Sequence, residues 1–235
     1  FFTGVSEGVV SNQRIIKMFD IDNDEILIKE KGIYSIEKFI VARRLMYWQV
    51  YLHKTVLSAE FLLAKIIDRA REIILSGEKL FTTPHVFLFL SNKISVNELK
   101  NDDCLTAFSS LDDNDIMTCV KVWSSSKDKV LKRLSSMLVN RRLLKVKISD
   151  APFSENEISA LKDKHQKALK VDSHEVNYFV FQEYMINNAY DPRKDTIKVK
   201  FKDGTIRDIT EASDNLNIRA LAKPVTKYYL FAPYF

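Results

Sequence analysis

Arg43, Tyr47, Tyr51 and Lys54 stand at i, i+4, i+8 and i+11 of a segment that holds neither glycine nor proline. At about 100° per residue, the four fall within one stripe roughly 80° wide on a helix. The stripe runs cation, aromatic, aromatic, cation. A guanidinium offers a planar fork to a phosphate, and a tyrosine offers a stacking face with a polar tip. A nucleotide with several phosphates is a ligand that uses both. The spacing equally suits Arg43 and Lys54 pairing with carboxylates from neighbouring helices, and periodicity leaves the two readings open.

Other chemistry has little to stand on. The four histidines are His53, His85, His165 and His174, and none is followed by Asp. His165 sits in a charged helix expected to be exposed, and His174 in an expected loop, so no metal site is expected from them. No phosphate-binding GxxxxGK[ST], dinucleotide GxGxxG or nucleophile GxSxG motif is present. Asp112, Asp113 and Asp115 could form an acid cluster, but their position suits capping of a helix N-terminus. Asp20-Ile21-Asp22-Asn23-Asp24 starts like a calcium loop, then lacks the following glycine and the twelfth-position Glu, and reads as a turn. Lys127, Lys129, Lys132, Arg133, Arg141, Arg142, Lys145 and Lys147 form a basic stretch, either a solvated face or a nucleic-acid contact. Cys104 and Cys119 have no CxxC spacing and suggest two reduced thiols of a cytoplasmic protein.

The elements that must position the stripe can be read from punctuation. Residues 35–76 form one very long helix or two in succession, stopped at Gly77. Phe39, Ile40, Leu45, Met46, Trp48, Val50, Leu52 and Val56 point nearly all round it, which predicts a buried, central helix. Ser11 caps a short helix through Phe19, and Glu25 to Lys29 reads as a strand. Further helices are expected at His85 to Leu90 after Pro84, Cys104 to Ser110, Asp113 to Trp123 and Asp128 to Asn140. Leu143 to Ile148 reads as a strand, and Ser154 with Glu157 opens a helix to about Lys170. Tyr178 to Phe181 is a β-like run. Thr196 to Phe201 and Thr205 to Ile209 alternate about an Asp-Gly turn, which predicts a hairpin with Ile197, Val199, Phe201, Ile206 and Ile209 as its candidate apolar face. Such a hairpin must pack on a helix, a third strand or another subunit. Val225 to Phe231 could add a strand. The fold class is therefore α+β, mainly α. With 46% hydrophobic and 29% charged residues and a net charge of +5, the 235-residue chain has the makings of an ordinary globular protein with a mildly basic surface. It has no apolar run long enough to span a bilayer.

Tyr34-Ser35-Ile36-Glu37-Lys38-Phe39, then Val41 through Lys54 with Tyr51-Leu52-His53-Lys54 at its end, closely resembles the HD-domain phosphohydrolases, in particular a bacterial subgroup similar to deoxynucleoside triphosphate triphosphohydrolases. Phe1 to Ser6, Leu111-Asp112-Asp113-Asn114-Asp115-Ile116, Asn140-Arg141-Arg142-Leu143 and Phe201 to Leu221 fit the same subgroup, so the resemblance covers essentially the whole chain. It implies that Arg43 contacts substrate phosphates and that Tyr51 packs against the sugar of a bound deoxynucleotide. Tyr47 stands where a relative has a pocket His, Lys54 matches a contact to a regulatory nucleotide phosphate, and His53 is read as structural. It implies residues 1–140 as the C-terminal part of the HD-type helical domain, with its long central helices, and 141–235 as a smaller α+β region with an antiparallel hairpin. The intact enzyme would use a divalent metal held by a His…His-Asp…Asp set. Those ligands lie upstream of the segment matching Phe1, and the start of the chain, without Met or a signal-like run, looks like mid-protein. No catalytic residue and no metal ligand are therefore expected in this chain, which alone should be inactive. The implied partners are a nucleotide substrate and further copies in a homo-oligomer, with nucleic acid a further candidate and no membrane. The competing class is a non-catalytic module of the same fold that binds nucleic acid or a partner subunit.

Overall fold

The computed structural model describes residues 6–194, 196–215 and 223–234. Phe1–Val5 of the Phe1 to Ser6 match, residues 216–221 of the Phe201 to Leu221 match and the terminal Phe235 lie outside the described residues. The fold is α+β and mainly helical. Close packing gathers the chain into two units. The first comprises Phe1–Val56, Ser149–Ala151 and Tyr184–Tyr228, and the second Leu57–Ile148, Pro152–Glu183 and Tyr229–Phe235. Each unit draws on chain from both sides of residue 140.

In the first unit, α1 (Asn12–Lys17) leads into β1 (Phe19–Asp22) and β2 (Glu25–Lys29). Asp20 to Asp24 is thus more than a turn. Asn23 and Asp24 take φ of 50° and 60° and join two antiparallel strands in register from Phe19↔Ile28 to Asp22↔Glu25. Two left-handed residues in succession match the right-handed twist of a hairpin, and Asn and Asp tolerate that region best after glycine. Phe19, expected to end the helix, opens β1, and Ser11 precedes α1 without a side-chain cap bond.

The C-terminal hairpin forms as β5 (Lys198–Lys200) and β6 (Ile206–Asp208), turning at Gly204 with φ of 83°. Its partner is a third strand: β5 runs parallel to β2 through Ile28↔Val199, giving the order β1-β2-β5-β6. Val199 and Ile209 are fully buried. Ile206 is not part of the apolar face, because it pairs with Lys200 and so shares the solvent side, 45% exposed. Helix α2 (Ile33–Met46) lays Ile33, Ile36 and Ile40 on Ile28, Val199, Tyr190 and Ile209 to form this unit's core.

In the second unit, α3 (Lys54–Leu75) buries Leu62, Ile66, Ala70 and Ile73, spaced as one helical face, among Val120 and Trp123 of α6 (Asp113–Trp123) and Val130, Leu131 and Leu134 of α7 (Lys129–Val139). The helix stops where expected. Gly77, at φ 85°, donates its amide to Ile74 and Glu78 donates to Ile73, which closes the last turn. Asp112 caps α6 in a reciprocal box with Asp115, the role expected for the acid cluster. The α4 helix (Pro84–Ser91), α5 (Asp102–Ser110) and α8 (Glu155–Leu169) lie close to their expected places. Tyr178 to Phe181 does not begin a strand, because Glu175–Tyr178 is a 3₁₀ turn and the strand, β4, is Phe181–Asn187. A three-stranded sheet sets β7 (Val225–Ala232) between β3 (Lys145–Ser149) and β4. His165, expected to be exposed, is 3% exposed because it falls on the inward face of α8.

Candidate functional site

The stripe is built on α2, and its continuation is not a regular α-helix. Tyr47–Tyr51 is a π-helical turn, closed by a 2.7 Å hydrogen bond from the Leu52 amide to the Tyr47 carbonyl. One residue is thereby added to the turn, a feature that changes which side chains stack and often marks functional positions. The chain leaves the helix at Leu52 and His53, and α3 begins at Lys54. The His53 ring nitrogen Nδ1 accepts from the Thr55 amide at 3.3 Å, so His53 caps the first turn of α3.

Three of the four stripe residues come together. The Arg43 guanidinium carbon lies 5.8 Å from the centre of the Tyr47 ring, and the Tyr47 and Tyr51 rings lie 5.3 Å apart at 56°. Arg43 and Tyr51 are exposed, and Tyr47 is half-buried. Lys54 is exposed and lies beyond the helix break, so the four do not share one continuous helix face. Among the described residues neither Arg43 nor Lys54 forms a hydrogen bond or ion pair with a carboxylate.

The expectation of a buried, central helix fails over this stretch. Phe39 and Val41 are exposed because the sheet covers the Ile33, Ile36 and Ile40 side of α2, and beyond α2 Tyr51 and Val56 are exposed as well. Two features escaped the sequence. Lys227 of β7 places its Nζ 4.9 Å over the Trp48 ring, a contact between residues far apart in the chain and invisible to local spacing. An apolar cleft of about 600 Å³ opens between α1, α2 and the sheet, lined by Ile15, Ile16, Phe19, Ile36, Phe39 and Ile197. No group of three His, Cys, Asp or Glu side chains comes together among the described residues to hold a metal ion.

Residues 10–82, which span the whole stripe, match the family described as HD associated region. A crystallised phosphohydrolase from Bacteroides thetaiotaomicron superposes with a TM-score of 0.89 at 48% identity, over 100% of this chain and 58% of that one. YwfO of Bacillus subtilis is 31% identical over 144 residues, 61% of this chain and 31% of the relative. A Mycoplasma genitalium protein is 26% identical over 221 residues, 91% of this chain and 51% of the relative. The chain thus spans between about a third and somewhat over half of the length of these relatives. These matches support kinship with HD-domain proteins and a fold like that of the Bacteroides phosphohydrolase. No described helix is long and apolar enough to cross a membrane.

Proposed function

We propose that this chain supplies a nucleotide-contacting surface of a metal-dependent phosphohydrolase acting on (deoxy)nucleoside triphosphates or related nucleotides. One arrangement carries the reading: an exposed guanidinium, Arg43, beside the Tyr47 ring that packs on Tyr51, with no carboxylate partner among the described residues. Such a group is free to form a bidentate contact to phosphate while the rings receive the sugar or base. Arg43 would hold phosphate, Tyr51 would pack on the sugar, Tyr47 would line the pocket, and Lys54 would touch a regulatory nucleotide. The Bacteroides neighbour adds support through its name, as does the family match across all four positions.

A divalent ion, implied by the HD resemblance, would activate water and neutralise phosphate charge. The described residues do not fit one, so the roles proposed are confined to binding. We further take the intact protein to be a cytoplasmic homo-oligomer.

Calorimetric titration of the chain with a deoxynucleoside triphosphate, and separately with the nucleoside, tests the reading. Arg43→Lys keeps the charge but loses the fork, so triphosphate affinity should fall by about 1–3 kcal/mol, on the order of 10–100-fold, with nucleoside affinity and thermal melting unchanged. Equal triphosphate affinity in both proteins would make Arg43 an ordinary surface residue.

A further inference from the structure

We propose that the second unit carries a surface for duplex nucleic acid, contacted through its phosphates by the cations of α7, its C-terminal turn and β3. Residues 127–147 hold the eight cations Lys127, Lys129, Lys132, Arg133, Arg141, Arg142, Lys145 and Lys147 against one acid, Asp128. All eight are exposed. The acid is taken, since Asp128 is held by Arg69 at 2.7 Å and caps α7 through the Leu131 amide. Among the described residues only Lys147 of the eight has an ion-pair partner, Glu157 at 3.1 Å. A face that serves solubility alone normally mixes both signs, whereas this one leaves like charges unpaired beside one another.

The cations are also arranged. On α7, Lys129, Lys132 and Arg133 occupy one side while Val130, Leu131 and Leu134 enter the core on the other. On β3, Lys145 and Lys147 share a face, and with Lys164 of α8 they line one recess of about 170 Å³. Between the two groups Arg141 takes a left-handed φ of 55° at the turn that ends α7, where Arg142 donates to Met137 and Arg141 to Leu138. Glycine is favoured at that position; arginine there adds a cation at the cost of backbone strain.

The type of polyanion follows from what accompanies the charge. One exposed ring, Tyr234, lines the recess beside Lys145 and Lys147, and residues 127–147 add no other, so successive bases of a single strand have no series of rings to stack on. Val130, Leu131 and Leu134 of α7 are fully buried, and Val139 and Ile148, exposed beside the cations, stand singly rather than as an apolar face that could enter a lipid surface. Exposed cations without a series of stacking rings suit the phosphates of a duplex, read without regard to sequence.

Fluorescence anisotropy of the chain with labelled DNA duplexes of unrelated sequence tests this. Similar affinities for the different sequences are expected, falling on the order of 10²-fold or more between about 50 and 200 mM salt for four or more phosphate contacts. The combined Lys129→Gln, Lys132→Gln, Arg133→Gln variant should bind at least about tenfold more weakly, with a salt slope lowered by about two to three. The combined Arg141→Gln, Arg142→Gln, Lys145→Gln variant should do the same. Lys129→Arg with Lys132→Arg should bind normally, which guards against loss of fold as the cause, and each melting curve should match the parent. The proposal is overturned if the duplex is not bound at low salt, if the glutamine variants bind as well as the parent, or if a single strand binds more tightly. It also fails if an acidic peptide or anionic vesicles displace the duplex at equal charge concentration.

Discussion

Arg43 and Arg69 each set a guanidinium carbon 5.8 Å from the centre of a tyrosine ring, Arg43 over Tyr47 in the first unit and Arg69 over Tyr178 in the second. Their electrostatic circumstances are opposite. Arg69 gives Nε and Nη2 to the two Asp128 carboxylate oxygens at 3.2 and 2.7 Å and Nη1 to Glu72 at 3.0 Å. Arg43 has no carboxylate among the described residues and stands in solvent. An arginine stacked on tyrosine is therefore not in itself a ligand site. A guanidinium forked onto one carboxylate and bonded to a second has its charge met and little left to offer a phosphate, and one without such partners contributes little to folding.

The largest expected effect sharpens that contrast. Asp128→Ala removes the fork partner of Arg69 and the cap of α7 together. Both side chains of the pair are only 18% exposed, so solvent screens them incompletely. Loss of the charged hydrogen bonds and of the cap should cost about 2–3 kcal/mol in urea denaturation. Arg43→Ala should stay within about 0.5 kcal/mol, as surface changes do. A destabilised Arg43→Ala protein would mean that its guanidinium is structural after all, and the comparison would collapse.

The acid limb of stability should show the same difference. Burial pushes the Asp128 carboxyl up, but the hydrogen bonds from Arg69 and the Leu131 amide outweigh it and hold the carboxyl below its ordinary 3.8. A depressed carboxylate stabilises the fold above its unfolded value and loses that contribution as pH falls through the folded one. Stability should therefore drop below about pH 4 in the parent, and less steeply in Asp128→Ala, as followed by denaturation midpoints across pH. Parallel pH curves for the two proteins would show that Asp128 titrates the same folded and unfolded.

Much of this was legible in the residues, and the parts that were not have physical reasons. Helices α6, α7 and α8 were readable because Asp112, Asp128 and Ser154 sit at their N-caps and leave a local signal. The hairpin β1–β2 was missed because its turn uses Asn23 and Asp24 without a glycine, so the pair read as an isolated turn. The π-turn left no trace, because one extra residue in a segment without glycine or proline changes neither composition nor length. Of the candidate site, the Arg43–Tyr47–Tyr51 grouping follows from i, i+4 neighbours. The separation of Lys54 and the Lys227–Trp48 contact follow from a break and a long-range packing that periodicity cannot express.

The smallest expected effect concerns the break itself. His53 stands between the π-turn that carries Tyr51 and the first turn of α3 that carries Lys54, and its Nδ1 accepts from the Thr55 amide at 3.3 Å. That geometry makes it a capping residue, with the ring oriented so that Nδ1 is the acceptor and the proton is on Nε2. His53→Ala should cost about 1 kcal/mol or somewhat less by urea denaturation, since the bond is long and exposed. His53→Asn should restore most of it, because Asn is among the strongest caps. A cap acts on the helix and not on a ligand, so triphosphate affinity in the Asn variant should match the parent. If His53→Asn is as stable as the parent yet binds triphosphate several-fold more weakly, the imidazole touches the nucleotide itself, and the site extends past Tyr51 toward Lys54.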